Sequence, residues 1–141
     1  MKPLNSVFLI EDDVEDVMLF KEALSDTGSE ICLTHAFDCD TAISELISNP
    51  IPPDMIILDY NLPGMNGKEC LSTLRQIASL KEIPVVFFST SDCPFSKIEL
   101  NMMGAMGFYS KPPQYSKLVE FVSEVVSGRL LSKASECWHQ S

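Results

Sequence analysis

Short apolar runs recur along the chain, and polar residues follow most of them. The clearest cover residues 7–10, 55–58 and 85–88, a weaker one covers 31–36, and a last strand is expected at 107–110. Runs this short and this continuously apolar are typical of strands that are buried on both faces, as in a parallel sheet.

Stretches with helical spacing separate these runs. One of them, at about 94–103, has Pro94 in its first turn, where proline is tolerated. The other four carry apolar stripes formed by Val14, Val17, Phe20 and Leu24; by Ile43, Leu46 and Ile47; by Leu71, Leu74, Ile77 and Ala78; and by Leu118, Phe121, Val122, Val125 and Val126. Five strands alternating with five helices predict an α/β fold, a doubly wound five-stranded parallel sheet with helices on both faces.

Length and charge narrow the class of protein. A chain of 141 residues with 45% hydrophobic residues suits one domain with one apolar core. Its net charge of −10 disfavours direct nucleic-acid binding.

No apolar run reaches ~18 residues and the first residues do not resemble a secretory signal, so we expect no membrane insertion and a cytoplasmic location. We place the domain at 5–127, and at 128–141 a C-terminal tail that frays or extends the last helix.

The cysteines and histidines suggest no separate chemistry. Five cysteines lack CxxC spacing, and their odd number favours small buried thiols over a full disulfide set. The two histidines, His35 and His139, do not supply the paired spacing of a zinc site. We therefore expect His35 to have a structural role.

Polar groups follow four of the predicted strands, and parallel strands bring their carboxyl ends to one edge of the sheet. These groups are Glu11, Asp12 and Asp13; Asp59; Ser89, Thr90 and Ser91; and Lys111 with Pro112. Carboxylates packed closely repel one another unless a cation such as Mg²⁺ is bound. A lysine adds a fixed positive charge for phosphoryl oxygens. The pattern therefore predicts phosphoryl transfer to a carboxylate, with Asp59 as the nucleophile.

These motifs resemble those of receiver domains of bacterial two-component response regulators, the superfamily of the chemotaxis regulator, in their stand-alone, single-domain form. The matching pieces are IEDD, LDYNLPGMNG, FFST and the pair Lys111-Pro112, and the resemblance covers about residues 5–126. It implies a flavodoxin-like strand order, 2-1-3-4-5. It also implies a signalling switch that undergoes at most self-phosphorylation and autodephosphorylation, without turnover of an external substrate.

The resemblance assigns the chemistry residue by residue. Asp59 would accept a phosphoryl group from a histidine kinase or a histidine phosphotransfer protein. Mg²⁺ would be the cofactor, with Asp12 and Asp59 as ligands, Glu11 assisting and the Asn61 main-chain carbonyl completing the set. Lys111 would contact a phosphoryl oxygen.

The resemblance also implies a switch. Ser89 would move toward the phosphoryl group, and Phe108 would then turn inward and change the surface of helix four, strand five and helix five. That surface would act on an unknown downstream protein, with the chain a monomer or weak homodimer. A cis peptide bond is implied between Lys111 and Pro112.

Some positions depart from the family pattern. Phe108 lacks the hydroxyl of the commoner tyrosine, and Asn66 replaces an aspartate in the loop after Asp59. Thr90 becomes the switch hydroxyl if the register slips by one residue. Asp13 is expected to cap the first helix rather than bind metal. Two methionines of the fourth helix, Met102 and Met103, are candidate contacts for the downstream partner.

Three other functions remain alternatives. A haloacid-dehalogenase-like phosphatase needs a DxD motif, and Asn61 stands where its second acid belongs. A flavin-binding electron carrier needs a Ser-, Thr- and Gly-rich loop after the first strand, where this chain has EDDVED. A degenerate receiver that serves only as a binding module would not need the complete set of acids, hydroxyl and lysine.

Overall fold

The computed structural model describes residues 3–132 and, for the backbone alone, 136–138. The strands are β1 (Ser6–Ile10), β2 (Cys32–Ala36), β3 (Met55–Leu58), β4 (Val85–Ser89), β5 (Gly107–Ser110) and β6 (Glu136–Trp138). The helices are α1 (Val14–Asp26), α2 (Cys39–Ser48), α3 (Gly67–Gln76), α4 (Lys97–Met103) and α5 (Tyr115–Val126), followed by a 3₁₀ turn (Arg129–Ser132). Among these residues, no helix is both long and apolar enough to cross a membrane.

The strands form one parallel sheet in the order β2-β1-β3-β4-β5-β6. The predicted doubly wound fold and the order 2-1-3-4-5 of its five strands are confirmed. The sixth strand was not predicted, and it pairs with β5 through Gly107 and Glu136.

Alternate residues of each strand enter two apolar layers on opposite faces of the sheet. In β1, Phe8 and Ile10 face the layer that α2, α3 and α4 cover, whereas Val7 and Leu9 face the layer that α1 and α5 cover. Both layers come from continuously apolar strands, as the sequence indicated. Their burial leaves the strand ends as the places where polar side chains emerge.

Two boundaries differ from the sequence prediction. Helix α4 begins at Lys97, because Ser96 caps it: the Ser96 hydroxyl accepts from Glu99 N at 3.1 Å and the Ser96 N donates to Glu99 Oε1 at 2.9 Å. The chain leaves the last α-helix after Val126, so the described part of the tail does not continue it. Gly128 adopts a left-handed φ of 79°, and the chain then buries Leu130 in the α1–α5 layer.

The prediction of free thiols is wrong for three cysteines, because Cys39, Cys70 and Cys93 are disulfide-bonded. Cys39 begins α2 and Cys70 lies in the first turn of α3, and these two buried residues form a disulfide with a Cα–Cα distance of 5.9 Å. Their separation of 31 residues gave no spacing motif; the pairing arises because α2 and α3 pack on the same face of the sheet. Cys32 is a free and exposed thiol.

Candidate functional site

The carboxyl ends of the central strands bring the predicted polar residues together. Ile10 of β1 pairs with Leu58 of β3, so the next residues, Glu11 and Asp59, lie side by side. Both are buried, with 2% and 5% of their surface exposed. Ser89, the last residue of β4, is fully buried at the same edge. Glu11, Asp59 and Ser89 therefore lie together at this edge, and the carboxyl groups of Glu11 and Asp59 are desolvated.

Lys111 is the cation of this cluster. Its Nζ lies 2.5 Å from Glu11 Oε1 and 3.4 Å from Asp59 Oδ2. A third carboxylate, Asp16 Oδ2, lies 2.9 Å from the same nitrogen. Burial alone would lower the pKa of Lys111, but the hydrogen bonds to Glu11 and Asp16 outweigh it and raise this pKa above its usual value. The lysine is a permanent positive charge.

The surroundings of Glu11 oppose its ionisation. Burial, together with a hydrogen bond to Asp59, raises the pKa of Glu11 to about 8, although Lys111 acts in the opposite direction. The neighbouring Asp13 N donates to Glu11 Oε2 at 3.2 Å. Glu11 and Asp59 therefore compete for one ammonium, and a further cation would relieve the repulsion between them.

The acids that would receive such a cation are Glu11, Asp12 and Asp59. One carboxylate oxygen from each lies within 4.8 Å of the other two. Asp12 is exposed while the other two are buried, so the group opens to solvent on one side. Hard divalent ions prefer oxygen ligands, and Mg²⁺ keeps several waters. The residues present thus fit Mg²⁺.

The Ser89 hydroxyl has close polar partners that the sequence did not predict. The Asn61 side-chain Nδ2 donates to Ser89 Oγ at 2.7 Å, and Ser91 Oγ lies 3.0 Å from the same oxygen. The Asn61 main-chain N donates to Asp59 Oδ1 at 3.0 Å. Thr90 is exposed, whereas Ser89 is buried beside the Asn61 amide. Asn61 connects the Asp59 carboxylate to the Ser89 hydroxyl.

Phe108 already lies inside the protein. It is fully buried, and its ring centroid is 5.7 Å from those of both Tyr60 and Phe87. The inward turn implied by the family resemblance therefore has no exposed starting position here. The implied cis bond is absent: Lys111–Pro112 is trans, the isomer that an X–Pro bond prefers by about 0.5–1 kcal/mol.

The loop after Asp59 is held by close backbone packing. Gly67 N donates to Tyr60 O at 2.8 Å, and a Cβ at Gly67 would lie 2.6 Å from Tyr60 Cα. Asn66 caps α3 in a reciprocal pair with Glu69, at 2.9 and 3.1 Å. The substitution of asparagine for aspartate therefore retains a cap, and the loop path is fixed at both ends.

Two aspartates at the start of α1, Asp13 and Asp16, lie near the site. Asp13 caps α1, accepting from Glu15 N at 2.9 Å, and this prediction is confirmed. The contact of Asp16 with Lys111 was not predicted.

On α4, Met102 is exposed and Met103 packs partly against the core. His35 Nε2 lies 3.0 Å from the Glu11 carbonyl oxygen, consistent with the structural role expected of it.

Comparison with known proteins identifies relatives. The family model for the response regulator receiver domain matches residues 7–123. The probable transcriptional regulator ycf29 of Porphyra purpurea is 30% identical over 86% of this chain and 56% of its own. The glycerol metabolism activator of Pseudomonas putida is 32% identical over 82% of this chain and 53% of its own. The chain thus spans about half the length of these relatives.

Solved structures share the whole fold. The phosphorylated cyanobacterial phytochrome response regulator RcpA has a TM-score of 0.77 and 29% identity, covering 95% of this chain and 97% of its own. The Mn²⁺-bound form of the response regulator Rcp1 has a TM-score of 0.75 and 27% identity, covering 89% of this chain and 94% of its own. The similarity extends across nearly all elements described above.

Proposed function

Since the chain belongs to the family of response regulator receiver domains, we propose that it is a phosphorylation-activated switch in which Asp59 accepts the phosphoryl group. One observation carries this proposal: the buried Asp59 carboxylate lies 3.4 Å from the Lys111 ammonium and beside two further acids. A buried carboxylate that ended a strand for turn formation alone would not need this combination.

The donor is a phosphohistidine on a histidine kinase or a histidine phosphotransfer protein. The P–N bond breaks and a P–O bond to Asp59 forms; the electron pair of the broken bond stays on the imidazole, which takes up a proton. Lys111 supplies positive charge to the phosphoryl oxygens. Glu11, Asp12 and Asp59, with the Asn61 carbonyl, would hold Mg²⁺, which when bound offsets phosphoryl charge as a Lewis acid.

The response begins at Ser89. Its hydroxyl is held by the Asn61 amide and Ser91, so a phosphoryl group on Asp59 must compete with these bonds for it. Movement of Ser89 would shift the end of β4, the strand whose Phe87 packs against Phe108. Because Phe108 is already buried, its part in the switch is an adjustment within the core. The surface of α4, β5 and α5, with Met102 and Met103, would present the change to a downstream protein.

The test uses Mg²⁺ with beryllofluoride or a small phosphodonor. Wild type should show a Mg²⁺-dependent change in hydrogen exchange at β4, α4 and β5, and a stoichiometric acyl phosphate with the phosphodonor. Asp59→Asn should abolish both. Asp40→Asn is the matched control, because it removes the same charge at an exposed position of α2. An unchanged response in Asp59→Asn would refute the assignment, and phosphate release from many small esters would favour a phosphatase.

A further inference from the structure

The Lys111 ammonium is already saturated with acceptors. An ammonium has three N–H donors, and its Nζ faces three carboxylates: Glu11 at 2.5 Å, Asp16 at 2.9 Å and Asp59 at 3.4 Å. The nucleophilic carboxylate is the most distant of the three. Asp16 comes from α1, 95 residues from Lys111 in sequence, and the proposed transfer of phosphate does not use it.

The three acids differ in how easily they can lose the lysine. The side chains of Glu11 and Asp59 are 3% and 6% exposed, whereas that of Asp16 is 34% exposed. A buried carboxylate left without a partner carries a large desolvation cost, but water can replace the lysine at a partly exposed one. Asp16 is therefore the acceptor from which Lys111 departs at the lowest cost.

Space for such a movement is present beside the lysine. A cavity of about 50 Å³ is lined by both partners of the ion pair and by Glu11, Phe88 and Pro112. The Lys111 Nζ lies 6.0 Å from the centroid of the Phe88 ring, on one wall of this cavity. The cavity thus leaves part of the lysine unpacked on the Asp16 side of the site, and Asp59 does not line it.

We propose that Asp16 is a positioning residue that holds the Lys111 ammonium on the α1 side of the site at rest and yields it to the phosphoryl group. This inference rests on the proposed function of Asp59. Asp16 therefore opposes activation, because every anionic group that arrives at Asp59 has to attract the Lys111 ammonium away from Asp16. At the same time, its charge adds to the negative potential that attracts a divalent cation.

The proposal predicts opposite changes in the binding of an anionic phosphoryl analogue and of Mg²⁺ when the Asp16 charge is lost. A purely structural role of Asp16 predicts changes in the same direction. Loss of the Asp16 charge should strengthen binding of an anionic phosphoryl analogue, since the lysine is released. The same loss should weaken binding of Mg²⁺, since one negative charge is removed. If Asp16 merely fastened α1 to β5, its loss would loosen the site and weaken both ligands together.

The experiment measures two dissociation constants by calorimetry on the full chain: that of Mg²⁺ alone, and that of beryllofluoride at saturating Mg²⁺. For Asp16→Asn we expect the Mg²⁺ constant to rise and the beryllofluoride constant to fall, each by about twofold to fivefold, the size of one partly exposed ion pair. Glu15→Gln is the matched control, since it removes the same charge from the adjacent, exposed residue of α1. It should change neither constant by as much as twofold.

Asp16→Glu keeps the charge and should return both constants toward those of wild type. Changes of the same sign in both constants of Asp16→Asn, or no change in either, would overturn the inference while wild type still binds beryllofluoride. Absence of any Mg²⁺-dependent beryllofluoride binding by wild type would instead overturn the proposed function, and this inference with it.

Discussion

Replacing Gly67 with alanine tests how tightly the loop after Asp59 is fixed. Gly67 is the first residue of α3, and an added Cβ would lie 2.6 Å from Tyr60 Cα, 2.9 Å from the Asp59 carbonyl oxygen and 3.1 Å from Phe87 Cε1. The first two atoms belong to the backbone and cannot rotate away. The loop must therefore shift as a whole, and Asp59 shifts with it.

Two effects of opposite sign decide the stability of Gly67→Ala. Alanine favours the helix over glycine by about 0.5–1 kcal/mol. Overpacking of a close contact costs about 1–3 kcal/mol. Because two of the three contacts are with backbone, we place the cost in the upper half of that range, at about 2–2.5 kcal/mol, which leaves a net loss of about 1–2 kcal/mol. With a urea m-value of about 2 kcal/mol/M, the unfolding midpoint falls by about 0.5–1 M.

Urea unfolding, followed by far-ultraviolet circular dichroism, measures the midpoint. Ser72→Ala is the control, because Ser72 is exposed on the same helix and the change improves helix propensity without a new contact; its midpoint should rise slightly. The displaced Asp59 should also weaken Mg²⁺ binding in Gly67→Ala but leave it unchanged in Ser72→Ala. A midpoint of Gly67→Ala equal to or above that of wild type would refute the steric argument.

Two further predictions concern Glu11 and the disulfide. Burial and the hydrogen bond to Asp59 raise the pKa of Glu11, so Mg²⁺ binding should release a proton while Glu11 titrates, and the Mg²⁺ association constant should rise with pH toward about 8 and level off above. Calorimetry in buffers of different ionisation enthalpy should detect the released proton, and Glu11→Gln should remove the pH dependence. The Cys39–Cys70 disulfide closes a loop of 31 residues. The lower entropy of the cross-linked unfolded chain should stabilise the folded state by about 3–4 kcal/mol. The double variant Cys39→Ala/Cys70→Ala should lose about that much unfolding free energy without reductant, whereas Cys32→Ala should lose little; a loss below about 1 kcal/mol contradicts the estimate.

The fold was predictable because its strands are apolar on both faces. Continuous apolar runs predicted β1, β3 and β4, a weaker run predicted β2, and β5 was expected after the fourth helix; these five form the order β2-β1-β3-β4-β5. The polar ends of four of them predicted which residues share one edge. Strand β6 was missed because it belongs to a short polar tail, and its pairing with β5 depends on the path that the chain takes after Gly128. The spacing of apolar residues in the sequence does not predict the path of the chain after Gly128.

The side-chain contacts of the site were predictable only where they follow from strand ends. Glu11, Asp59 and Lys111 meet because β1, β3 and β5 end at the same edge. The Asn61 amide reaches Ser89 Oγ at 2.7 Å because the loop after β3 folds back over β4. That fold depends on the close packing of Gly67 against Tyr60, which the sequence indicated only as a turn rich in glycine.

Asp16 shows why a correct local interpretation can still miss a long-range contact. Asp13 caps α1, which makes Asp16 the third residue of the helix, the position from which an acid often turns back to the cap residue's backbone. In α3 and α4 the glutamates at this position do so. In α1 the carboxylate instead contacts Lys111, because the first turn of α1 lies over the end of β5 and a charged partner outcompetes a neutral N–H. The Asp13 cap suggests a local role for Asp16 at the start of α1. The same cap also fixes where α1 begins, and this places the Asp16 carboxylate within reach of Lys111.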